Sequence, residues 1–245
     1  MLAIIGGTGL TQLENLHITR REIVRTPYGE PSGALSFGEI NGVEVVFLAR
    51  HGYGHIIQPH LINYRANIWA LAQQKVSGII AIASVGGIRA DLAPGTLVVP
   101  NQIIDYSWGR QHTYFDADNT VVRHIDFTQP YDAQLRCLIL EAAGEQGEAV
   151  HDGGVYACTQ GPRLETAAEI RRLEGDGADM VGMTGMPEAA LARELDIPYA
   201  TLAVVANWAA GKGDSSNHIH LDVASDVFRE AMGKVRRILA CMGEG

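Results

Sequence analysis

The run Thr201–Val205 is β-branched and aliphatic with no polar alternation, so it needs cover on both faces. Such a strand belongs in a parallel sheet layered by helices. Its surroundings, residues 182–211 (GMTGMPEAALARELDIPYATLAVVANWAAG), supply the rest of an α/β junction. Gly182-Met183-Thr184-Gly185 is a short polar turn, and Pro187 and Glu188 suit the first turn of a helix. Ala189, Ala190, Leu191 and Leu195 continue that helix until Asp196-Ile197-Pro198 ends it. The strand then delivers Asn207 into a glycine-containing loop. Open α/β sheets place their ligands where a helix start meets a strand end. This stretch therefore offers an anion site at Thr184 and a polar-ring site at Asn207.

The remaining pattern agrees. Strands are expected at Leu2–Ile5, near Glu22–Arg25, Ala34–Phe37 and Glu44–Leu48, then at Gly78–Ala83, Thr96–Asp105 and Gly154–Cys158. Helical spacing covers Asn63–Gln74, with Ile68, Leu71 and Ala72 as core positions, and recurs in Tyr131–Gly147 and Val223–Leu239. A polar, aromatic loop from Tyr106 to Phe127 carries His112, Tyr114, Phe115 and His124. A loop this long usually serves function or an interface. No repeat or linker divides the chain, and 245 residues with 47% hydrophobic content can bury one large core. The expected architecture is one domain over residues 1–245, a layered α/β/α fold with a mixed central β-sheet, antiparallel in its early strands.

Acidic residues outnumber basic ones 28 to 19 without like-charge blocks, which argues against nucleic-acid or membrane partners. Apolar runs are strand-length, and the chain enters a strand at residue 2, so neither a membrane span nor a signal peptide is expected. Cys137, Cys158 and Cys241 lack CxxC spacing and fit a reduced, cytoplasmic protein.

Several turns carry chemistry. Gly6-Gly7-Thr8-Gly9 after the first strand suits close backbone approach to phosphate, with Thr8 as a donor. A dinucleotide fingerprint would need glycine where Gln12 stands. Arg50-His51-Gly52-Tyr53-Gly54-His55 offers a planar guanidinium and a neighbouring imidazole to an anion. The His51/His55 spacing imitates a zinc motif, but Gly52 replaces its glutamate and glycines oppose the helix, so no metal is expected. Ser84 is not an elbow nucleophile, because Ile82 occupies the place of the required glycine. Its backbone amide is the better candidate, facing an anion. Glu165 is either an ordinary charge in the first turn of the next helix or a partner of Asn207.

Four separated pieces together resemble one family: Ile4-Ile5-Gly6-Gly7-Thr8-Gly9, Ala49-Arg50-His51-Gly52, Gly161-Pro162-Arg163, and Gly182-Met183-Thr184 through Pro187-Glu188. The chain resembles the trimeric purine nucleoside phosphorylases, in the branch of the 5′-methylthioadenosine and S-methyl-5′-thioinosine phosphorylases. Tyr64–Leu71 and His124-Ile125-Asp126-Phe127 extend the resemblance, which runs from residue 2 to about residue 240. It implies phosphorolysis of an N-glycosidic bond, with inorganic phosphate as co-substrate and no organic or metal cofactor. By position, Thr8, Arg50, His51, Ser84 (through its backbone) and Thr184 would hold phosphate. Met183 would pack on the ribose, with His55 near its 5′ end, while Leu164, Glu165 and Asn207 would line the base. His124 would reach in from a neighbouring subunit of a homotrimer.

The base-reading positions favour one substrate. Methylthioadenosine phosphorylases typically carry Asp-x-Asp where this chain has Asn207-Trp208-Ala209, and Ser in place of Glu165. The Glu and Asn pair instead resembles 6-oxopurine enzymes. An ionised Glu165 accepts from N1–H of hypoxanthine or guanine, and the Asn207 amide donates to N7 or O6. Adenine turns a lone pair toward the same carboxylate, a mismatch of about 1–3 kcal/mol. Methylthioinosine is therefore favoured over methylthioadenosine, which a protonated Glu165 would readmit. Ile219, Leu221 and Val223 could line a methylthio pocket; His218 and His220 lie in the same stretch, and His220 pointing inward would favour a 5′-hydroxyl and a general 6-oxopurine nucleoside phosphorylase. Outside this class stand a dinucleotide-dependent oxidoreductase and a catalytically silent purine-binding protein.

Overall fold

The computed structural model describes residues 1–10, 16–116, 121–219 and 225–242. Leu2–Gly6 (β1) pairs in parallel with Val43–Ala49 (β4) on one edge and with the start of Ile79–Gly87 (β5) on the other. His17–Glu22 (β2) and Leu35–Ile40 (β3) extend the β4 side as an antiparallel meander. Beyond β5 the order continues through Met180–Gly182 (β10), Val155–Cys158 (β9) and Gln102–Asp105 (β7). The opposite edge of β5 pairs along its length with Tyr199–Trp208 (β11), parallel as expected. β11 in turn leads to Leu97–Val99 (β6) and Val150–Asp152 (β8). Among the described residues the result is one mixed sheet of 11 strands.

Both sheet faces are covered, which is why its strands read as continuous apolar runs. Ile5, Val46, Ile79 and Ala81 point to one side, into a cluster with Ile68 and Leu71 of helix Tyr64–Gln73 (α1) and Ala189 and Leu191 of Gly185–Glu194 (α4). Their sequence neighbours Ile4, Phe47, Ile80 and Ile82 point to the other. There they meet Leu135 and Ile139 of Ala133–Glu145 (α2) and Phe228, Val235 and Ile238 of Asp226–Cys241 (α5). This is the period-2 side-chain alternation of a strand with two buried faces. A fifth helix, Ala167–Gly175 (α3), starts at a capping box formed by Thr166 and Glu169. Among the described residues no helix is long and apolar enough to cross a membrane.

The structure departs from sequence expectation in several places. Thr96–Asp105 is two strands, because Pro100 has no N–H to continue a ladder. β2 lies at His17–Glu22 rather than Glu22–Arg25; all its residues are exposed, so no apolar alternation marked it. Ser84–Gly87 is not a turn but the end of β5, where Gly86 and Gly87 pair antiparallel with Val181 and Met180. Asn207 lies within β11, just past a register shift after Val205, rather than in the following loop. Ala72 is half-buried rather than core. Val223 lies outside the described residues, and the last helix is observed from Asp226.

Candidate active site

Strand ends converge on one cavity. β1 runs into Gly7 and Thr8, β4 into Arg50 and His51, β10 into Met183 and Thr184, and β11 carries Asn207. Together with Ser84, His55, Leu164, Glu165 and Ile219 these residues line a cavity of about 420 Å³. That volume lies within the usual range for small-molecule sites. Gly7 permits the close approach: a Cβ there would stand 2.6 Å from the Ile82 carbonyl oxygen and 3.0 Å from Arg50 Nη1.

At one end, Arg50 is fully buried. Its Nε and Nη2 each donate to Glu188 at 2.7 Å, and Nη1 donates to the Ile82 carbonyl at 2.8 Å. Glu188 also accepts from the Tyr199 hydroxyl at 2.8 Å. Burial by itself would lower the pKa of Arg50, but the charge and hydrogen bonds of Glu188 outweigh it and raise the pKa, so the guanidinium stays charged. One hydrogen on each terminal nitrogen is left over from these bonds. Glu188 does sit in the first turn of α4, as its sequence position suggests. Its burial and its pairing with Arg50 were not anticipated.

His51 sits beside Arg50 with its Nδ1 2.8 Å from the Ile57 carbonyl. A carbonyl only accepts, so Nδ1 carries the hydrogen and Nε2 presents a lone pair. Burial, followed by the Arg50 charge, pushes the His51 pKa down to about 4, so the ring is neutral near pH 7. His55 packs against it, tilted by 40°, at 4.3 Å between ring centroids, and its Nε2 is 3.4 Å from Thr8 Oγ1; burial lowers its pKa also. The Ser84 hydroxyl donates to the Thr8 carbonyl at 3.3 Å, joining the first and fifth strand ends. Thr184 is the N-cap residue of α4, and its backbone N–H donates to the Tyr156 hydroxyl at 3.3 Å.

At the other end, Glu165 precedes the N-cap of α3, so it is not the first-turn charge that one reading made it. Glu169 fills that role, and Arg163 holds it with two 2.9 Å hydrogen bonds. Glu165 Oε1 instead accepts from the Thr159 hydroxyl at 2.6 Å. Asn207 Nδ2 donates to the Trp208 carbonyl at 2.7 Å, which leaves its second N–H for a ligand. Ile56, Ile57 and Pro59 give the cavity mouth an apolar lining that the sequence reading did not name; Ile219, which it did name, lies with them. His220 and Leu221 lie outside the described residues. His124 is exposed and does not line the cavity of its own chain.

One further residue escaped the sequence reading. Arg110, from the long loop after β7, is buried, and its guanidinium binds carbonyls on both sides of the site. Nη1 donates to Met183 O at 2.9 Å and Met186 O at 2.5 Å, while Nη2 donates to Thr159 O at 3.2 Å and Gln160 O at 2.9 Å. The only sequence hint was an arginine with no acidic residue within four positions. Among the described residues, no group of three or more His, Cys, Asp or Glu side chains is placed to hold a metal ion.

Comparison with known proteins places this geometry. Residues 1–241 match the family described as the phosphorylase superfamily. The chain is 55% identical over 238 residues to a protein of Pseudomonas syringae pv. tomato named "Probable S-methyl-5'-thioinosine phosphorylase", covering 97% of this chain and 96% of that one. It is 44% identical over 248 residues to the 6-oxopurine nucleoside phosphorylase of Pyrococcus furiosus, covering 98% and 91%. Methylthioadenosine phosphorylase from Schistosoma mansoni, solved with adenine, superimposes with a TM-score of 0.92 at 32% identity, covering 98% and 90%. Its layered mixed sheet, its cavity at the strand ends and these matches agree: the chain belongs to the phosphorylase superfamily.

Proposed function

We propose that this protein cleaves the N-glycosidic bond of a 5′-methylthio purine nucleoside with inorganic phosphate, with methylthioinosine as the favoured substrate. The products are the free base and 5-methylthioribose 1-phosphate, both suited to salvage. The observation that carries the reading is the placement of Glu165 and Asn207 in the same cavity as Thr8, Arg50, His51 and Thr184. The cavity thus has a purine reader and an anion site, as a two-substrate transfer requires. The names of relatives in both the methylthioinosine and the 6-oxopurine groups support the base preference.

The chemistry follows from the residue types. Glycosidic cleavage passes through a state with positive charge on the sugar and negative charge on the departing base. A phosphate held below C1′ by the free N–H groups of Arg50 and by Thr8, Thr184 and the Ser84 amide stabilises the sugar charge, then attacks and inverts the carbon. Neutral His51 accepts from a phosphate hydroxyl through Nε2, which keeps the attacking oxygen unprotonated. The spare N–H of Asn207 donates to the purine as its charge builds, while Glu165 accepts from N1–H. Met183 and Leu164 supply apolar contact, and orientation within the cavity provides much of the acceleration.

Ile56, Ile57, Pro59 and Ile219 at the cavity mouth support a methylthio group rather than a hydroxyl at the 5′ position. His55, beside Thr8, favours the second reading, a general 6-oxopurine nucleoside phosphorylase, since it could hydrogen-bond a 5′-hydroxyl. We further propose a homotrimer in which His124 completes the neighbour's site. Val121 and Val122, beside it, are 86% and 74% exposed, as is Ile56 at the cavity mouth (79%), and such residues suit burial between subunits. No organic cofactor enters this scheme, and three cysteines without CxxC spacing fit a cytoplasmic protein. The deciding assay compares phosphate-dependent base release from methylthioinosine, methylthioadenosine, inosine and adenosine by kcat/KM. Release that does not depend on phosphate would overturn the proposal, and a strong preference for methylthioadenosine would overturn the role of Glu165.

A further inference from the structure

The carboxylate of Glu165 is oriented by a residue outside the nucleoside cavity. Thr159 lines only the neighbouring cavity, of about 350 Å³, whose wall Glu165 shares. Its hydroxyl is 2.6 Å from Glu165 Oε1 and 3.3 Å from the Gly182 carbonyl oxygen. The backbone around it is pinned: Thr159 N–H donates to Gly182 O at 2.8 Å, and Thr159 O accepts from Arg110 Nη2 at 3.2 Å. We propose that Thr159 is a positioning residue that sets base specificity by tying up Glu165 Oε1 and leaving Oε2 as the acceptor for the base. The proposal rests on the phosphorylase reading above.

The hydrogens decide this. When Glu165 is charged, the Thr159 hydroxyl donates to Oε1, and Oε2 is left with lone pairs for the ligand. The bond to Gly182 O and the pinned backbone hold the hydroxyl in place, so the carboxylate cannot turn about its last bond without losing that donor. Oε2 therefore meets the base as an acceptor. A purine bearing N1–H matches it; adenine, with a lone pair at N1, does not. Thr159 therefore fixes which carboxylate oxygen the base meets, a selection that a bare glutamate would lose.

Thr159→Val keeps the volume and removes both the donor and the acceptor, whereas Thr159→Ser keeps them. We expect Thr159→Val to reduce the kcat/KM preference for methylthioinosine over methylthioadenosine by about ten-fold or more. Thr159→Ser should stay within about two-fold of the parent ratio. Equal losses on both nucleosides, or an unchanged ratio, would overturn the proposal. Calorimetric binding of free hypoxanthine and adenine to the same variants tests Thr159 without turnover. An unchanged binding ratio again overturns it, while an altered ratio in a protein lacking phosphate-dependent activity counts against the phosphorylase reading alone.

Discussion

Arg50 and Glu188, 138 residues apart in sequence, meet through two 2.7 Å hydrogen bonds with both side chains buried. The pair joins the end of β4 to the first turn of α4. It sets the plane of the guanidinium, and so fixes which N–H groups remain for an anion. A bidentate arginine–carboxylate pair has this directional quality, which a lysine would lack.

Removing one member should therefore cost stability and phosphate affinity together. Glu188→Ala leaves a buried cation unpaired, and we expect a loss of about 3–5 kcal/mol in chemical denaturation. The apolar double variant Arg50→Met with Glu188→Leu should recover most of that stability while remaining inactive. Recovered activity in the double variant would remove Arg50 from the phosphate site.

His51 provides a pH signature. Its pKa is about 4 in the folded protein against an ordinary value near 6.5, so the unfolded chain binds the extra proton first. The stability linked to His51 is present above about pH 6.5 and is lost as pH falls toward 4, at a rate approaching about 1.4 kcal/mol per pH step between those two values. His51→Phe should flatten that part of the stability-versus-pH curve. Imidazole NMR resonances of the parent protein should stay those of the neutral ring with hydrogen on Nδ1 down to about pH 5.

Asn207→Asp replaces the amide donor with a second acceptor beside Glu165. Turnover of 6-oxopurine nucleosides should fall by about 10²–10³, the usual cost of one lost donor to a developing negative charge. The loss should appear mainly in kcat, with 6-aminopurine nucleosides less affected. Equal effects on both classes, read from steady-state kinetics, would remove Asn207 as the base reader.

The apolar mouth is testable at Ile56, which lines the cavity and does not belong to the core of its own chain. Ile56→Ser should raise KM for methylthioinosine by about 3–10-fold, from roughly 1 kcal/mol of lost apolar contact. KM for inosine should move little. Matching shifts for the two substrates would place the 5′ group elsewhere.

Much of the fold was legible because most core strands carry apolar residues on both faces and most helices start at polar caps. The Asn63 side chain accepts from Ala66 N, and the Asp132 side chain from Leu135 N, each close to where the sequence placed a helix start. β2 was misplaced because an exposed edge strand has no face to hide. The site residues could be named from local glycine and polar patterns together with the family resemblance. The contacts of Glu188, Thr159 and Arg110 could not. Each acts on a partner more than five residues away, and the distance and direction of such a bond exist only once strands have been brought together.

β5 lends one edge to two partners. β1 pairs as far as Ala81, and β10 takes over at Gly86 from the opposite direction. Along Ile82–Val85 that edge has no strand beside it among the described residues, and Arg50 Nη1 occupies the Ile82 carbonyl. The cavity opens where the ladder would otherwise have continued, lined there by Ala83, Ser84, Val85 and Gly86, so a bound ligand would serve as a surrogate strand. Activity can accordingly be lost through added order. A sequence that lets β1 or β10 grow by two residues would zip the gap closed and silence the protein with its ligand-contacting side chains unchanged.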